Sequence, residues 1–374
     1  MKAFCFGVLC ALAPAAFAAG PNTVATIDRA LWPETTGSTA AFDRASRAEI
    51  LAFAHALAEA DGDDDAALKA RLGIKEVDRA SLDRVRERLW NELARNYANA
   101  SKGCGKNEAF CAPAGDAAAL RKLAAAFTAA PDAKYQAWYD NAAVFHRAYR
   151  DELLRLAALF GRTNSEIDTM NANERRGDEL PDRQFELTFD DGPSRAGGTS
   201  DGVAAMLKKN GLSATFYVLG ERLDERIKAN GAPAALYAGQ CVGMHGWTHK
   251  SHARWAEWQG SVTQVKDLVK ATVPDLYVPM FRPPYGQRTT DSGDWFKAQG
   301  IKVALWNIDS QDWNAKINTD QVGNRVLTLM LLWRHGVVLF HDVHAKGAVA
   351  VPWILEQTKG SGIAFGDCRK YAEG

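Results

Sequence analysis

Two spacings of apolar side chains divide the chain. From about residue 40 to residue 160 they recur at three- and four-residue intervals. Leu82, Val85, Leu89, Leu93 and Tyr97 fall on one helical face, and Trp138, Ala142, Phe145, Tyr149, Leu153, Leu156 and Phe160 on another. Ser46 with Glu49 reads as a capping box, and Asp116 as the N-cap of a helix reaching Phe127. The pattern predicts four or five helices packed as a small bundle. Beyond residue 185 the period shortens. Apolar runs at 187–189, 215–219, 278–282, 302–306 and 337–340 read as buried strands, and 200–209, 259–272, 290–299 and 321–334 as the helices between them. Such alternation implies parallel strands with right-handed crossovers, hence a β/α barrel or an open sheet. Residues 161–184 show little apolar period and carry Asn164, Asn171, Asn173, Gly177 and Pro181, so they read as a linker. The expected organisation is a helical domain over 20–160, a linker over 161–184 and a catalytic α/β domain over 185–374.

The N-terminus follows neither pattern. Lys2, an apolar run from Ala3 to Phe17 and the small-residue pattern Ala16-Phe17-Ala18 read as a secretory signal peptide over residues 1–19. The run is shorter than the ~20 residues that a membrane span needs. The mature chain is thus expected in the periplasm or outside the cell, with no membrane span. Export changes the reading of the cysteines. Cys5 and Cys10 leave with the signal, and Cys104, Cys111, Cys241 and Cys368 remain. Of the possible pairings, Cys104–Cys111 closes a small polar loop and Cys241–Cys368 ties the chain end to its own domain, so these two are favoured. Lys plus Arg equal Asp plus Glu at 45 each. With no net charge, nothing suggests a nucleic-acid partner.

Chemistry gathers where the short strands end. Phe189 is followed by Asp190-Asp191-Gly192-Pro193. Two adjacent carboxylates at a strand end repel each other unless a cation lies between them. His245 and His249 stand four apart, a spacing that on a helical turn puts both imidazoles on one face. With Asp191 they make three protein ligands and leave a fourth position open, as catalytic zinc sites do. A zinc-protease signature would need Glu where Gly246 stands. His252, were it a fourth ligand, would close the site. Arg282-Pro283-Pro284-Tyr285, a rigid turn after another strand, can aim Arg282 inward. Asp309 to Trp313 and Leu339-Phe340-His341 end the last two strands. A histidine there, backed by a carboxylate, suits general acid work. Trp247, Trp255 and Trp258 read equally as sugar-stacking platforms and as packing residues. Asp61-Gly62-Asp63-Asp64-Asp65 hints at a calcium loop, but Ala66 and Leu72 occupy positions that such a loop gives to Gly and Glu, so a polar turn is the better reading.

Taken together and in this order, these clusters resemble the polysaccharide deacetylase family, the carbohydrate esterases with a NodB-homology domain. The resemblance covers about 183–367 and leaves out the helical region. It implies a distorted (β/α) barrel of about seven strands and a metal-dependent N-deacetylase acting on an N-acetylglucosamine-containing polysaccharide. Peptidoglycan, chitin-like chains and exopolysaccharide all remain open as the substrate. It implies Asp191, His245 and His249 as ligands of a divalent metal, most often Zn2+, and Asp190 as the base that Arg282 orients. His341 would be the acid with Asp309 behind it, the Tyr285 backbone N–H the oxyanion donor, and Leu339 and Trp313 the walls of the acetyl pocket. The family usually places Ser or Thr where Gly246 stands, a hydroxyl that braces the ligand loop. An O-acetyl esterase on acetylated xylan is the alternative within the fold. A carbohydrate-binding protein with a weakened site is the alternative outside catalysis.

Overall fold

The computed structural model describes residues 23–105 and 107–374. The expected signal peptide lies outside the described residues. Among those described, no helix is long and apolar enough to cross a membrane.

Five helices build the N-terminal half: α1 (Thr39–Ala58), α2 (Asp65–Leu72), α3 (Arg79–Ala100), α4 (Ala117–Ala125) and α5 (Gln136–Leu159). The first four start on a side-chain cap, with Ser38, Asp64, Asp78 and Asp116 each accepting a backbone N–H of the first turn. Each such cap contributes about 1 kcal/mol. Asp116 caps α4 as expected, although the helix stops at Ala125. The capping box at Ser46 and Glu49 does not form, because α1 begins eight residues earlier than Ser46, at Ser38. Both residues are buried inside α1. The Ser46 hydroxyl donates to Leu331 O, and Glu49 accepts from Trp138 and His146 and pairs with Arg29. The acidic stretch at 61–65 is a turn. Asp64 caps α2 while Asp63 and Asp65 pair with Arg71 and Arg79.

The second half is one curled parallel sheet with helices around it. In chain order it runs β1 (Glu174–Arg175), β2 (Gln184–Asp190), α6 (Thr199–Lys209), β3 (Ala214–Val218), α7 (Gly220–Lys228), α8 (Pro233–Leu236), β4 (Cys241–Met244), α9 (Trp258–Thr272) and β5 (Tyr277–Phe281). It continues with α10 (Ser292–Ala298), β6 (Lys302–Ala304), β7 (Ile308–Asp309), α11 (Thr319–Trp333), β8 (Gly336–His341), α12 (Lys346–Thr358), β9 (Ala364–Phe365) and α13 (Cys368–Glu373). The strand order is β1-β6-β5-β4-β3-β2-β8-β7, with β9 beside the start of β2. The edges β1 and β7 are not paired with each other, so the result is a partial barrel. β2 is central: Asp190 is in register with Tyr217 on one side and His341 on the other. The stretch 161–184, expected as a linker, supplies β1.

β4 and α12 escape the sequence pattern. β4 is only four residues long and contains Gly243, where a Cβ would lie 2.8 Å from the Tyr217 ring. α12 contains Pro352, which interrupts the helical signal. The favoured disulfides both form, Cys104–Cys111 and Cys241–Cys368.

The two halves share one apolar core that runs from Ala25 to Ile354. α11 is its hinge point: it packs on α12 within the second half and on α1 and α3 of the first. Polar contacts pin the same seam. Arg325 pairs with Glu152 at 2.7 Å, Arg334 with Asp43 at 2.9 Å, and Asn96 donates to Trp333 O at 2.9 Å.

Candidate active site

Every expected site residue lies at the C-terminal ends of the parallel strands or in the loops that follow, where this class of sheet concentrates its chemistry. β2 delivers Asp190 and Asp191 together. Asp191 has φ +75°, which swings its carboxylate out of the strand's alternation and toward the loop after β4. There Asp191 Oδ1 lies 3.3 Å from His245 Nε2 and 3.5 Å from His249 Nε2.

The proton positions in this cluster follow from its surroundings. His245 Nδ1 is 2.7 Å from Arg282 O, and a carbonyl only accepts, so Nδ1 is the donor. In the neutral ring Nε2 is then bare and faces the buried Asp191 Oδ1, which has no hydrogen-bond partner. Burial pushes the His249 imidazole down to about 4, so this ring is neutral at pH 7. Burial raises the Asp191 carboxyl, but the His245, His341 and His249 rings overcome that and hold it well below the usual range. One potential ligand atom from each of Asp191, His245 and His249 thus lies within 4.8 Å of the others. This donor set fits a divalent cation.

The two histidines do not sit on a helical turn. Residues 245–250 form an irregular loop, and Gly246 has φ +91°. A Cβ there would come within 3.1 Å of His252 Nε2 and 3.2 Å of Ser261 Oγ, so the side-chain hydroxyl usual in this place has no room. Ser261, on α9, supplies a hydroxyl instead and accepts the Trp247 N–H at 2.8 Å. His252 is not a ligand. It is buried, stacks on Phe281 at 5.2 Å, and neither ring nitrogen has a partner.

Asp190 is held apart from the ligand cluster. Arg282, fully buried, donates from Nη1 to Asp190 Oδ1 and to Thr188 Oγ1, both at 2.8 Å. Its other nitrogens reach Ala304 O and Leu305 O, and the guanidinium lies 4.2 Å from the Tyr217 ring centroid. With four hydrogen bonds holding the guanidinium, Oδ1 is fixed and Oδ2 is left toward the cluster, 3.9 Å from His245 Nε2.

On the neighbouring strand His341 ends β8, in register with Asp190. The carboxylate behind it is Asp312, not Asp309: Asp312 Oδ1 is 2.7 Å from Nδ1, and Oδ2 accepts the His341 backbone N–H at 2.9 Å. The chain turns at Gln311, with φ +57°, and this brings Asp312 under the ring. Asp309 instead accepts from Gln311 N and Nε2, and burial raises its carboxyl. Burial alone would depress His341, but Asp312, helped by Asp191 and Asp190, holds it up to about 10.

These groups line one cavity of about 400 Å³ together with Tyr285, Trp313 and Leu339. Tyr285 and Trp313 are 55% and 43% exposed and form its rim, whereas Leu339 is buried. Tyr285 adopts φ +60° and its ring lies 4.4 Å from that of His249. None of Trp247, Trp255 and Trp258 lines the cavity. Trp258 is buried against Trp295 and Phe296. The cavity also has a wall that sequence reasoning missed: Leu89 of α3, Tyr149, Leu153 and Leu156 of α5, and Glu166. Leu153 and Leu156 had been placed on the buried face of α5. They are only half-buried because the cavity lies before them.

Known proteins repeat the second half of the chain. The family pattern described as polysaccharide deacetylase matches residues 177–304. A peptidoglycan-N-acetylglucosamine deacetylase of Bacillus cereus is 32% identical over 192 residues, which cover 48% of this chain and 67% of the relative. That of Listeria monocytogenes is 30% identical over 185 residues, 49% of this chain and 37% of the relative, so the chain spans little more than a third of that protein. Among solved structures, a family 4 carbohydrate esterase from Streptomyces lividans in complex with acetate is 28% identical with a TM-score of 0.42, covering 49% of this chain and 91% of the other.

Proposed function

Because the chain belongs to the polysaccharide deacetylase family, we propose that it is a metal-dependent hydrolase that removes N-acetyl groups from an N-acetylglucosamine-containing polysaccharide and releases acetate. Asp191, His245 and His249 would hold the metal, of which Zn2+ best suits one carboxylate and two imidazoles. When bound, such an ion lowers the pKa of a water from ~16 toward ~7 and polarises the acetyl carbonyl.

The remaining work falls to the chain itself. Asp190, fixed through Oδ1 by Arg282, offers Oδ2 as the base that takes a proton from the attacking water. The Tyr285 backbone N–H, on the rim, supports the developing oxyanion. His341 as the imidazolium gives its proton to the departing nitrogen. Leu339 and Trp313 flank the methyl of the acetyl group and exclude water from it. The observation that carries this reading is the pair of separately held groups, Asp190 on Arg282 and His341 on Asp312, which line one cavity with the ligand cluster. An amine leaves only with a proton, and His341, held on Asp312, is placed to deliver it.

Export to the periplasm or beyond places the enzyme with such a polymer. The test compares acetate release from N-acetylglucosamine oligomers and from acetylxylan, with and without chelator. Chelator-sensitive release from the oligomers supports the reading, and release from xylan alone moves the protein to the O-acetyl esterases.

A further inference from the structure

The cavity wall contributed by the N-terminal half has no part in the reaction just described, yet it is built with care. Residues 164–168 follow α5 and are clamped from two sides. Arg288 donates to Ser165 O and Gly286 O at 2.8 Å and to Asp168 O at 2.9 Å, and its backbone N–H donates to Asn164 Oδ1 at 2.9 Å. From α3, Arg84 and Arg88 pair with Asp168 at 2.8 and 3.0 Å. This clamp holds Glu166 against the rim. Its Oε2 lies 3.3 Å from where a Gly286 Cβ would stand, next to Tyr285.

The other acids of this wall are neutralised: Glu152 by Arg325, and Glu92 by Arg88 and Arg176. No side chain among the described residues donates a hydrogen bond to Glu166, and its enclosure pushes the carboxyl up to about 8. Beside it the wall is apolar, with Leu153 and Leu156 half-buried toward the cavity and Leu89, Tyr149 and Trp333 closing its inner side at 3–4% exposure. An apolar and aromatic surface with one carboxyl that no other side chain pairs matches a pyranose ring, which presents C–H faces and hydroxyl edges. An acyl chain would offer that carboxyl no hydrogen bond.

We propose that Glu166 and the α5 face form a sugar subsite that closes one side of the active site, so that the enzyme takes an N-acetylhexosamine at a glycan terminus or in a short oligosaccharide. This rests on the deacetylase reading and names its substrate more narrowly. A residue in the middle of a long glycan needs a path away from the metal cluster on both sides. Here Tyr285 and Trp313 are exposed at the rim, and the wall of Glu166, Leu153 and Leu156 occupies a flank of the same cavity. A cavity of about 400 Å³ has room for roughly one or two rings.

The test uses the full zinc-loaded chain with N-acetylglucosamine oligomers of increasing length, and mass spectrometry to locate the free amine. The expected result is a free amine at one terminal residue only, at every length. Free amines at internal residues overturn the proposal. Glu166→Ala is expected to raise KM about tenfold with kcat within about twofold, and Glu166→Gln, which keeps a hydrogen-bonding group, to recover part of the loss. A fall in kcat at unchanged KM contradicts a binding role. Tryptophan fluorescence of the metal-free protein, titrated with the disaccharide, reads the subsite without turnover. Glu166→Ala should weaken Kd about tenfold, and an unchanged Kd overturns the subsite. If no oligomer releases acetate, the deacetylase reading fails, while the fluorescence titration still decides whether the subsite exists.

Discussion

The two halves treat certain buried carboxylates in opposite ways. In the helical half the three buried ones, Asp43, Glu49 and Glu152, are all paired with cations. Glu49 engages Arg29, Trp138 and His146, Asp43 holds Arg183 and Arg334, and Glu152 holds Arg325 and the Ala25 N–H. In the barrel, Asp191 Oδ1 and both carboxyl oxygens of Asp342 are buried without a hydrogen-bond partner, and the Nε2 atoms of His245 and His249 lie 3.3 and 3.5 Å from Asp191. Buried polar atoms left unpaired cost stability. The difference teaches where the molecule keeps capacity for something outside itself. The helical half has used its charges as fastenings, and the strand ends have held theirs open.

The sharpest way to break this contrast is to open a fastening. Glu152→Ala leaves Arg325 buried and unpaired at the seam, and should cost about 3–5 kcal/mol of stability in chemical denaturation. A loss under 1 kcal/mol would mean that the seam does not depend on the pair. Next in size is the acid side of the site. Asp312→Asn removes the group that keeps His341 charged, so kcat should fall on the order of 100-fold and the alkaline limb of kcat/KM should move down by at least one pH unit. The sign in the metal-free protein follows from linkage. A histidine raised from 6.5 to about 10 contributes stability that is fully present below pH 6.5 and is lost as pH rises through about 10. Thermal unfolding of the wild type should show this fall, and Asp312→Asn should flatten it.

Removing zinc should lower stability by about 2.7 kcal/mol relative to a sample at a hundredfold excess over Kd, and His245→Ala should abolish that difference. The smallest effect is expected at Gly246. Its φ of +91° and the close approach of His252 and Ser261 predict that Gly246→Ser costs about 1–2 kcal/mol and does not tighten zinc binding. Tighter binding would show that the Ser261 brace is inadequate.

Much of the barrel was legible because its strands are buried on both faces and read as continuous apolar runs. The residues proposed as ligands and base were legible as a group because metal chemistry needs particular residue types at strand ends, and Asp190, Asp191, His245, His249 and Arg282 meet there. Asp312 was not chosen over Asp309 because the choice depends on a left-handed turn at Gln311, a conformation that this residue type does not announce. The helical half was legible as helices and as a packing face, but not as a wall of the site. Periodicity marks which side chains leave solvent and is silent on what they meet. Leu153 and Leu156 obey the same spacing as Trp138 and Phe145, although they also line the cavity.

The most direct test of the account is acetate release from N-acetylglucosamine oligomers by the zinc-loaded wild type beside Asp190→Asn, with bound zinc measured in both. The account predicts equal zinc content and a loss of rate between about 100- and 10,000-fold in the variant. Equal rates, or a rate in the wild type that survives removal of the metal, would contradict it.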